Sequence, residues 1–177
     1  MKNQIVIADS CTLILLAKCS LLDAFTEIVP VVIPDAVFRE VVNKNLIKRF
    51  ADSKNISDIV LSGKIKVMTI KTPSQKLPFR MGKGESEALL LASQTSGSIL
   101  ATDDGKAIKA CRYLKQPFII SPKIVTELYR FDRIDLTKAK KSIEKMKIVG
   151  RYSPDIIAEA ILELEVTKDA KTRHGKG

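Results

Sequence analysis

The sequence contains no Trp, one His and three Cys, and these scarcities narrow the chemistry open to the chain. The single His, His174, stands in the polar segment KDAKTRHGKG. Cys11, Cys19 and Cys111 have no paired spacing. A zinc site built from Cys and His is therefore not expected. Cys11 and Cys19 stand among apolar residues, and we predict that they are small buried hydrophobic residues in a reducing compartment.

Long hydrophobic runs are also missing. No segment approaches the roughly 18 apolar residues that a membrane helix needs. The opening stretch, MKNQIVIAD, lacks the longer apolar core of a signal peptide because its apolar run soon reaches Asp9. The sequence therefore predicts a cytoplasmic protein with no membrane partner.

Positive charge is in excess. The chain has 30 Lys and Arg against 20 Asp and Glu, a formal net charge of +10. An excess of this size favours a polyanionic partner, with nucleic acid as the first candidate and an anionic membrane surface as the second. Many lysines stand in runs such as KAKKSIEKMK, which suit a solvated helix face equally well.

Short apolar runs alternate with helical patterns along the chain. QIVIA, VVI, KIKVMTIK, SILAT and PFII are typical of buried parallel strands. From Pro122 to about Val166 the pattern is helical, and residues 167–177 are predicted to be a disordered basic tail. The alternation predicts an α/β fold of three layers, α/β/α, with a central parallel sheet and extra C-terminal helices. We expect a single domain over residues 1–166.

Acidic residues follow the predicted strands or lie in the helices after them. Asp9 follows QIVIA, Glu40 lies in the helix after VVIP, Glu85 opens a helix, and Asp103 and Asp104 follow SILAT. Active sites of parallel sheets collect at the carboxyl ends of the strands, so these acids are expected at one rim. Their mutual repulsion is relieved most simply by Mg²⁺ or Mn²⁺. Taken singly, each acid also suits a helix cap or a solvated position.

Four blocks, in order, resemble the PIN-domain family, in the branch related to VapC-type toxin nucleases. They are IVIADSCTLILLAKCSLLDAF, VVIPDAVFREVV, MGKGESEALLLAS and ILATDDGKAIKA, within roughly residues 4–130. The second and third are the most specific. The GRYSP stretch is similar to the tails of an uncharacterised prokaryotic subgroup. The resemblance implies a metal-dependent ribonuclease with its acids at the carboxyl rim of a parallel sheet.

The resemblance also implies roles for individual residues. The implied catalytic acids, which would also bind Mg²⁺ or Mn²⁺, are Asp9, Glu40, Glu85 and Asp103. Spacing from Glu85 favours Asp103 as the fourth acid, whereas alignment of the preceding Thr favours Asp104, so both stay candidate metal ligands. Glu87 is a supporting candidate, turned about 200° around the helix from Glu85. Ser10 matches a hydroxyl position that would hold Asp9 or a metal-bound water.

The predicted RNA contacts are basic. The loop KLPFRMGKG lies directly before the proposed catalytic helix, although its composition suits a flexible surface loop equally well. The family subgroup often carries a basic residue after the Asp doublet, where this chain has Ile108, and Lys106 or Lys109 would take its place. The candidates for holding the RNA backbone are Lys76, Arg80, Lys83 and Lys106.

The sequence also bears on functions other than metal-dependent hydrolysis of RNA. The lack of His outside the tail argues against a nuclease that uses His as general acid and base. A haloacid-dehalogenase-type phosphatase needs a second acid two residues after Asp9, where Cys11 stands; many toxin relatives carry Asn there. A catalytically silent PIN-like module that binds RNA or protein is the main alternative, although acids in all four blocks oppose it. The resemblance further implies a small antitoxin partner and a homodimer.

Overall fold

The computed structural model describes residues 4–70 and 80–174 of the chain. The chain divides into two compact units, residues 1–120 and residues 121–177, which we call the N-terminal unit and the C-terminal unit. Within the described ranges, none of the helices combines the length and the apolar character that crossing a bilayer requires.

A five-stranded parallel sheet forms the centre of the N-terminal unit. Its strands lie in the order β3-β2-β1-β4-β5, and every neighbouring pair is parallel. The strands are β1 (Val6–Ala8), β2 (Val31–Pro34), β3 (Ile65–Met68), β4 (Ile99–Ala101) and β5 (Phe118–Ile119). All five fall on the apolar runs identified in the sequence. The predicted three-layer α/β/α fold with a central parallel sheet is confirmed.

Helices connect successive strands. They are α1 (Ser10–Lys18), α2 (Leu22–Ile28), α3 (Asp35–Val41), α4 (Lys44–Arg49), α5 (Ala51–Leu61), α6 (Lys83–Gln94) and α7 (Gly105–Leu114). Between α1 and α2 the helical path is interrupted at Ser20, which has a positive φ of 53°. Helix α1 packs on α3 and α5, and α3 packs on α6, so the helices that carry the acidic motifs are neighbours.

The register between the two central strands sets the positions of the residues that follow them. Ala8 of β1 lies opposite Ala101 of β4. The pairing continues one residue further, because the amide of Asp9 donates to the carbonyl of Ala101 at 3.0 Å. The side chains of Asp9 and Thr102 are thereby brought to the same edge of the sheet.

The C-terminal unit contains three helices. They are α8 (Ser121–Arg130), α9 (Leu136–Val149) and α10 (Pro154–His174), and each packs on the other two. Asp135 caps α9 by accepting from the amide of Lys138 at 2.6 Å. Helix α10 continues to His174 where the sequence predicted a disordered tail from residue 167. Local contacts support this extension, since Lys168 pairs with Glu165 one turn earlier.

Candidate functional site

Asp9 is a fully buried acid at the carboxyl end of β1. It caps α1, and its Oδ1 accepts from the amide of Thr12 at 2.9 Å. Its Oδ2 accepts from the hydroxyl of Thr102 at 2.5 Å. Both carboxylate oxygens are therefore hydrogen-bonded, although the side chain has no exposed surface.

The surroundings of Asp9 make its ionised form costly. Burial raises the pKa of Asp9 to about 7, hydrogen bonds from Thr102 and Thr12 oppose this rise, and the charge of Asp103 adds to it. Every described group that shifts this pKa is a hydroxyl, a backbone amide or another carboxylate. A buried carboxylate without a cation destabilises a fold, so Asp9 is poorly explained as a purely structural residue.

Thr12 connects Asp9 to Asp103. While its amide donates to Asp9, its hydroxyl donates to Oδ2 of Asp103 at 3.0 Å. Asp104 has different surroundings, because its Oδ1 caps α7 and accepts from the amides of Lys106 and Ala107, both at 2.9 Å. The sequence alone did not distinguish Asp103 from Asp104. In the structure, Asp103 bonds to Thr12 beside Asp9, whereas Asp104 is a helix cap. Which of the two binds a metal stays a prediction.

Glu40 extends from α3 to α1 and α6. Its Oε2 accepts from the hydroxyl of Ser10 at 2.5 Å, and its Oε1 accepts from the amide of Gly84 at 2.9 Å. A Cβ at Gly84 would overlap the Glu40 carboxylate, so glycine permits the close approach of the two. The sequence predicted that Ser10 would hold Asp9 or a metal-bound water, but its hydroxyl donates to Glu40. The reason is that α1 turns Ser10 toward α3, while Thr12 takes the capping bond to Asp9.

The two acids at the start of α6 point to different neighbours. The Glu85 carboxylate lies back against Gly82, so closely that a Cβ there would overlap it. Glu87 instead accepts from the amide of Ala36 at the start of α3 at 3.2 Å and lies 3.9 Å from the amine of Lys83. This difference agrees with the predicted separation of Glu85 and Glu87 around the helix.

The surroundings of Cys11 show which of the acids lie around one position. Its side chain is exposed, whereas the sequence predicted a buried one, because it lies on the outward side of α1 at the rim. Partial desolvation and then the charges of the surrounding acids raise the pKa of the Cys11 thiol to about 12. The acids whose charges act on this thiol are Asp9, Asp103, Glu85 and Asp104. Three separate segments thus contribute negative charge around one position.

The acids are not gathered into a coordination shell. Within residues 4–70 and 80–174, no group of three or more His, Cys, Asp or Glu side chains is arranged to hold a metal ion. The carboxylates instead accept hydrogen bonds, in the pairs Asp9–Thr102, Asp103–Thr12 and Glu40–Ser10. A donor set of carboxylate and hydroxyl oxygens fits a hard divalent cation such as Mg²⁺ or Mn²⁺ in its chemistry. Binding would replace some of these hydrogen bonds.

Three of the four basic residues predicted to contact RNA lie in the described part of the chain. Arg80, Lys83 and Lys106 are exposed, and Lys83 lies near Glu87. Lys76 lies outside the described residues. Sequence reasoning missed the partners Thr12 and Thr102. One signal for them was available, since both are hydroxyl residues within four positions of the end of a central strand.

The comparison with known families accounts for this constellation. A family model described as a PIN domain matches residues 5–166. The chain belongs to the PIN-domain family. No curated protein matches the sequence significantly. PIN domains have a nuclease-type fold and generally depend on a divalent metal, so the family supplies a reason for a buried carboxylate such as that of Asp9. The VapC-type subgroup and the single domain over residues 1–166 stay predictions.

Proposed function

We propose that this PIN domain is a metal-dependent ribonuclease that hydrolyses RNA phosphodiester bonds. The observation that carries the proposal is Asp9, which is fully buried, has its pKa raised to about 7 and is surrounded by hydroxyls, amides and a second acid. Such a carboxylate destabilises the metal-free protein. A site that binds a divalent cation explains why this arrangement is present.

The proposed ligands for Mg²⁺ or Mn²⁺ are Asp9, Glu40, Glu85 and Asp103. Asp104 is the weaker candidate, because its carboxylate caps α7, whereas Thr12 connects the carboxylate of Asp103 to that of Asp9. Such an ion supplies a bound water of lowered pKa and stabilises charge on the phosphate. Thr102 and Thr12 hold the carboxylates of Asp9 and Asp103 in position, and Ser10 does the same for Glu40.

The proposed substrate is RNA. The net charge of +10 supports a nucleic-acid partner, and the resemblance to VapC-type nucleases favours RNA over DNA. The exposed cations Arg80, Lys83 and Lys106 are the proposed contacts to the RNA backbone. A role as the toxin of a toxin–antitoxin pair, a small antitoxin partner, a homodimer and a cytoplasmic location are further parts of the proposal that follow from the resemblance and the cysteine usage.

The second candidate function is a catalytically silent module that binds RNA or protein. One observation favours it: in the described residues the acids form hydrogen-bonded pairs with hydroxyls instead of a metal-binding group. The two candidates differ in whether Asp9 is required for cleavage.

Cleavage of labelled RNA tests the proposal. The purified chain is incubated with single-stranded and hairpin RNA in Mn²⁺, in Mg²⁺ and in EDTA, beside the variants Asp9→Asn and Asp132→Asn. We expect metal-dependent cleavage that falls more than about 100-fold in Asp9→Asn, since loss of even an outer-shell partner costs roughly 10–100-fold. Asp132, an exposed acid paired with Lys171, serves as the matched control. RNA binding without cleavage that depends on metal and Asp9 would support the silent module instead.

A further inference from the structure

An apolar groove begins beside Glu40. It has a volume of about 240 Å³, and side chains from α1, α3, α4 and α5 line it, among them Ile14, Leu46, Phe50 and Ile56. Glu40 lies on its wall, and the hydroxyl of Ser10 bonds this same carboxylate. The groove is therefore continuous with the proposed active site through one residue.

Phe50 is the aromatic side chain of this groove, and its backbone is hydrogen-bonded on both sides. It is the one residue between α4 and α5. Its amide donates to the carbonyl of Leu46 at 2.8 Å, and its carbonyl accepts from the amide of Lys54 at 3.3 Å. With the backbone bonded on both sides, the ring is still 48% exposed. The groove thus presents a positioned aromatic surface to solvent.

The charge on the α4 side of this ring is positive, whereas the groove itself is lined by Lys18 and by the acids Glu40 and Asp52. Helix α4 carries Lys44, Lys48 and Arg49, has no acid, and has no buried residue. The guanidinium of Arg49 lies 5.7 Å from the centre of the Phe50 ring. An aromatic ring with adjacent cations is the arrangement that binds single-stranded nucleic acid, because bases stack on the ring while cations hold the phosphates.

We infer that this groove is a subsite for one nucleobase of a single-stranded RNA substrate. The base stacks on Phe50, and the neighbouring phosphates lie toward Lys48 and Arg49. The volume is slightly below the roughly 300–1,000 Å³ of pockets for drug-sized ligands, which suits a single planar ring system. The three cations of α4 favour a polyanion over an apolar protein segment, and the acids Glu40 and Asp52 in the lining require the phosphates to lie on the α4 side of the base. This inference rests on the proposed function, since it places substrate next to Glu40.

A tryptophan probe tests stacking directly. The chain has no Trp, so Phe50→Trp creates a single fluorescent reporter in the groove. Single-stranded RNA is titrated in EDTA, where a metal-dependent enzyme cannot cut it. We expect saturable quenching by the RNA and much less by an abasic oligomer of equal charge. Tyr113→Trp is the matched control, because Tyr113 is 70% exposed at the far end of α7 from Asp104. Equal quenching at both positions, or none at position 50, would overturn the inference.

An affinity measurement keeps the test independent of the probe. Phe50→Leu keeps an apolar side chain in the groove but removes the ring, so RNA affinity in EDTA should fall roughly 5- to 100-fold. Tyr113→Leu should bind as the wild type does, and thermal melts verify that both variants fold. Wild-type affinity in Phe50→Leu would reject the base subsite and favour a protein segment as occupant. Ring-dependent binding without any Mn²⁺-dependent cleavage would reject the ribonuclease proposal while preserving the subsite.

Discussion

Two acids of the C-terminal unit and the buried acid at the rim of the N-terminal unit have different kinds of partner. In the C-terminal unit, Glu127 pairs with Arg130 and Asp132 pairs with Lys171. At the rim of the N-terminal unit, the described partners that fix Asp9 are the hydroxyl of Thr102 and the amide of Thr12. Glu127 and Asp132 are therefore held by cations, whereas the described partners of Asp9 are neutral hydrogen-bond donors.

This difference separates structural acids from candidate functional ones. An ion pair at a protein surface adds at most modest stability, and it leaves the carboxylate no strong need for a further cation. A buried acid held by hydroxyls keeps its charge available but lowers the stability of the metal-free protein. The rim should therefore respond to metal, pH and mutation in ways that the C-terminal unit does not.

The largest expected effect is on stability as a function of pH. Without metal, the pKa of Asp9 rises on folding from 3.8 to about 7, so the folded state holds this proton more tightly. The stability that this tighter proton binding contributes is fully present below pH 3.8 and is lost as pH rises to about 7. The free energy of unfolding changes by about 4 kcal/mol for a pKa shift of this size. Asp9→Asn should be more stable than the wild type at pH 8 and nearly equal to it at pH 4. Urea unfolding in EDTA measures both proteins, and parallel pH profiles would contradict the expectation.

The next effect concerns Gly84. In Gly84→Ala the added Cβ would displace the Glu40 carboxylate, which is the mobile end of a side chain. We expect cleavage in Mn²⁺ to fall roughly 10–100-fold, as when a ligand loses its positioning contact, while thermal stability stays close to that of the wild type. Gly105→Ala is the control, since a Cβ there meets nothing within 4 Å. Equal activity in both variants would show that the position of Glu40 does not matter for cleavage.

A smaller effect on cleavage is expected from removing the hydroxyl of Thr12, with Thr126 as the matched control. The hydroxyl of Thr12 donates to Asp103 and the hydroxyl of Thr126 donates to Glu163, both at 3.0 Å. Thr12→Val should lower cleavage about 10-fold by releasing Asp103, at the low end of the range for outer-shell partners. Thr126→Val should cost only about 1 kcal/mol of stability, the typical value for one hydrogen bond. Cleavage rates and melting curves of both variants decide the comparison, and unchanged cleavage in Thr12→Val would remove Thr12 from the site.

Much of this fold follows from local sequence patterns. QIVIA is apolar at every position after Gln4, and β1 is buried throughout. Because the carboxyl ends of parallel strands share an edge, the location of Asp9 could be predicted from its place after that run. The break at Ser20 and the cap at Asp135 were likewise predictable from short segments.

The contacts between distant segments could not be predicted in this way. Thr102 bonds Asp9 across 93 residues, and this contact depends on the register of Ala8 against Ala101. No pattern within either segment contains that register. The same limit explains why the surroundings of Asp103 and Asp104 were indistinguishable in sequence, and why Cys11, apolar in its local context, lies exposed at the rim.

The smallest effect is expected at Asp132 of the C-terminal unit, when it receives the same Asp→Asn substitution as Asp9 of the N-terminal unit. Asp132 is 81% exposed, pairs with Lys171 and has a φ of 57°, a conformation that Asn tolerates as readily as Asp. Asp132→Asn should therefore destabilise the protein by less than about 1 kcal/mol, the usual limit for an exposed ion pair. At pH 8 in EDTA, Asp9→Asn should instead stabilise it. Opposite signs from one substitution type would establish that the partner of the acid decides its role, whereas destabilisation by both variants would show that Asp9 stabilises the fold even without a metal.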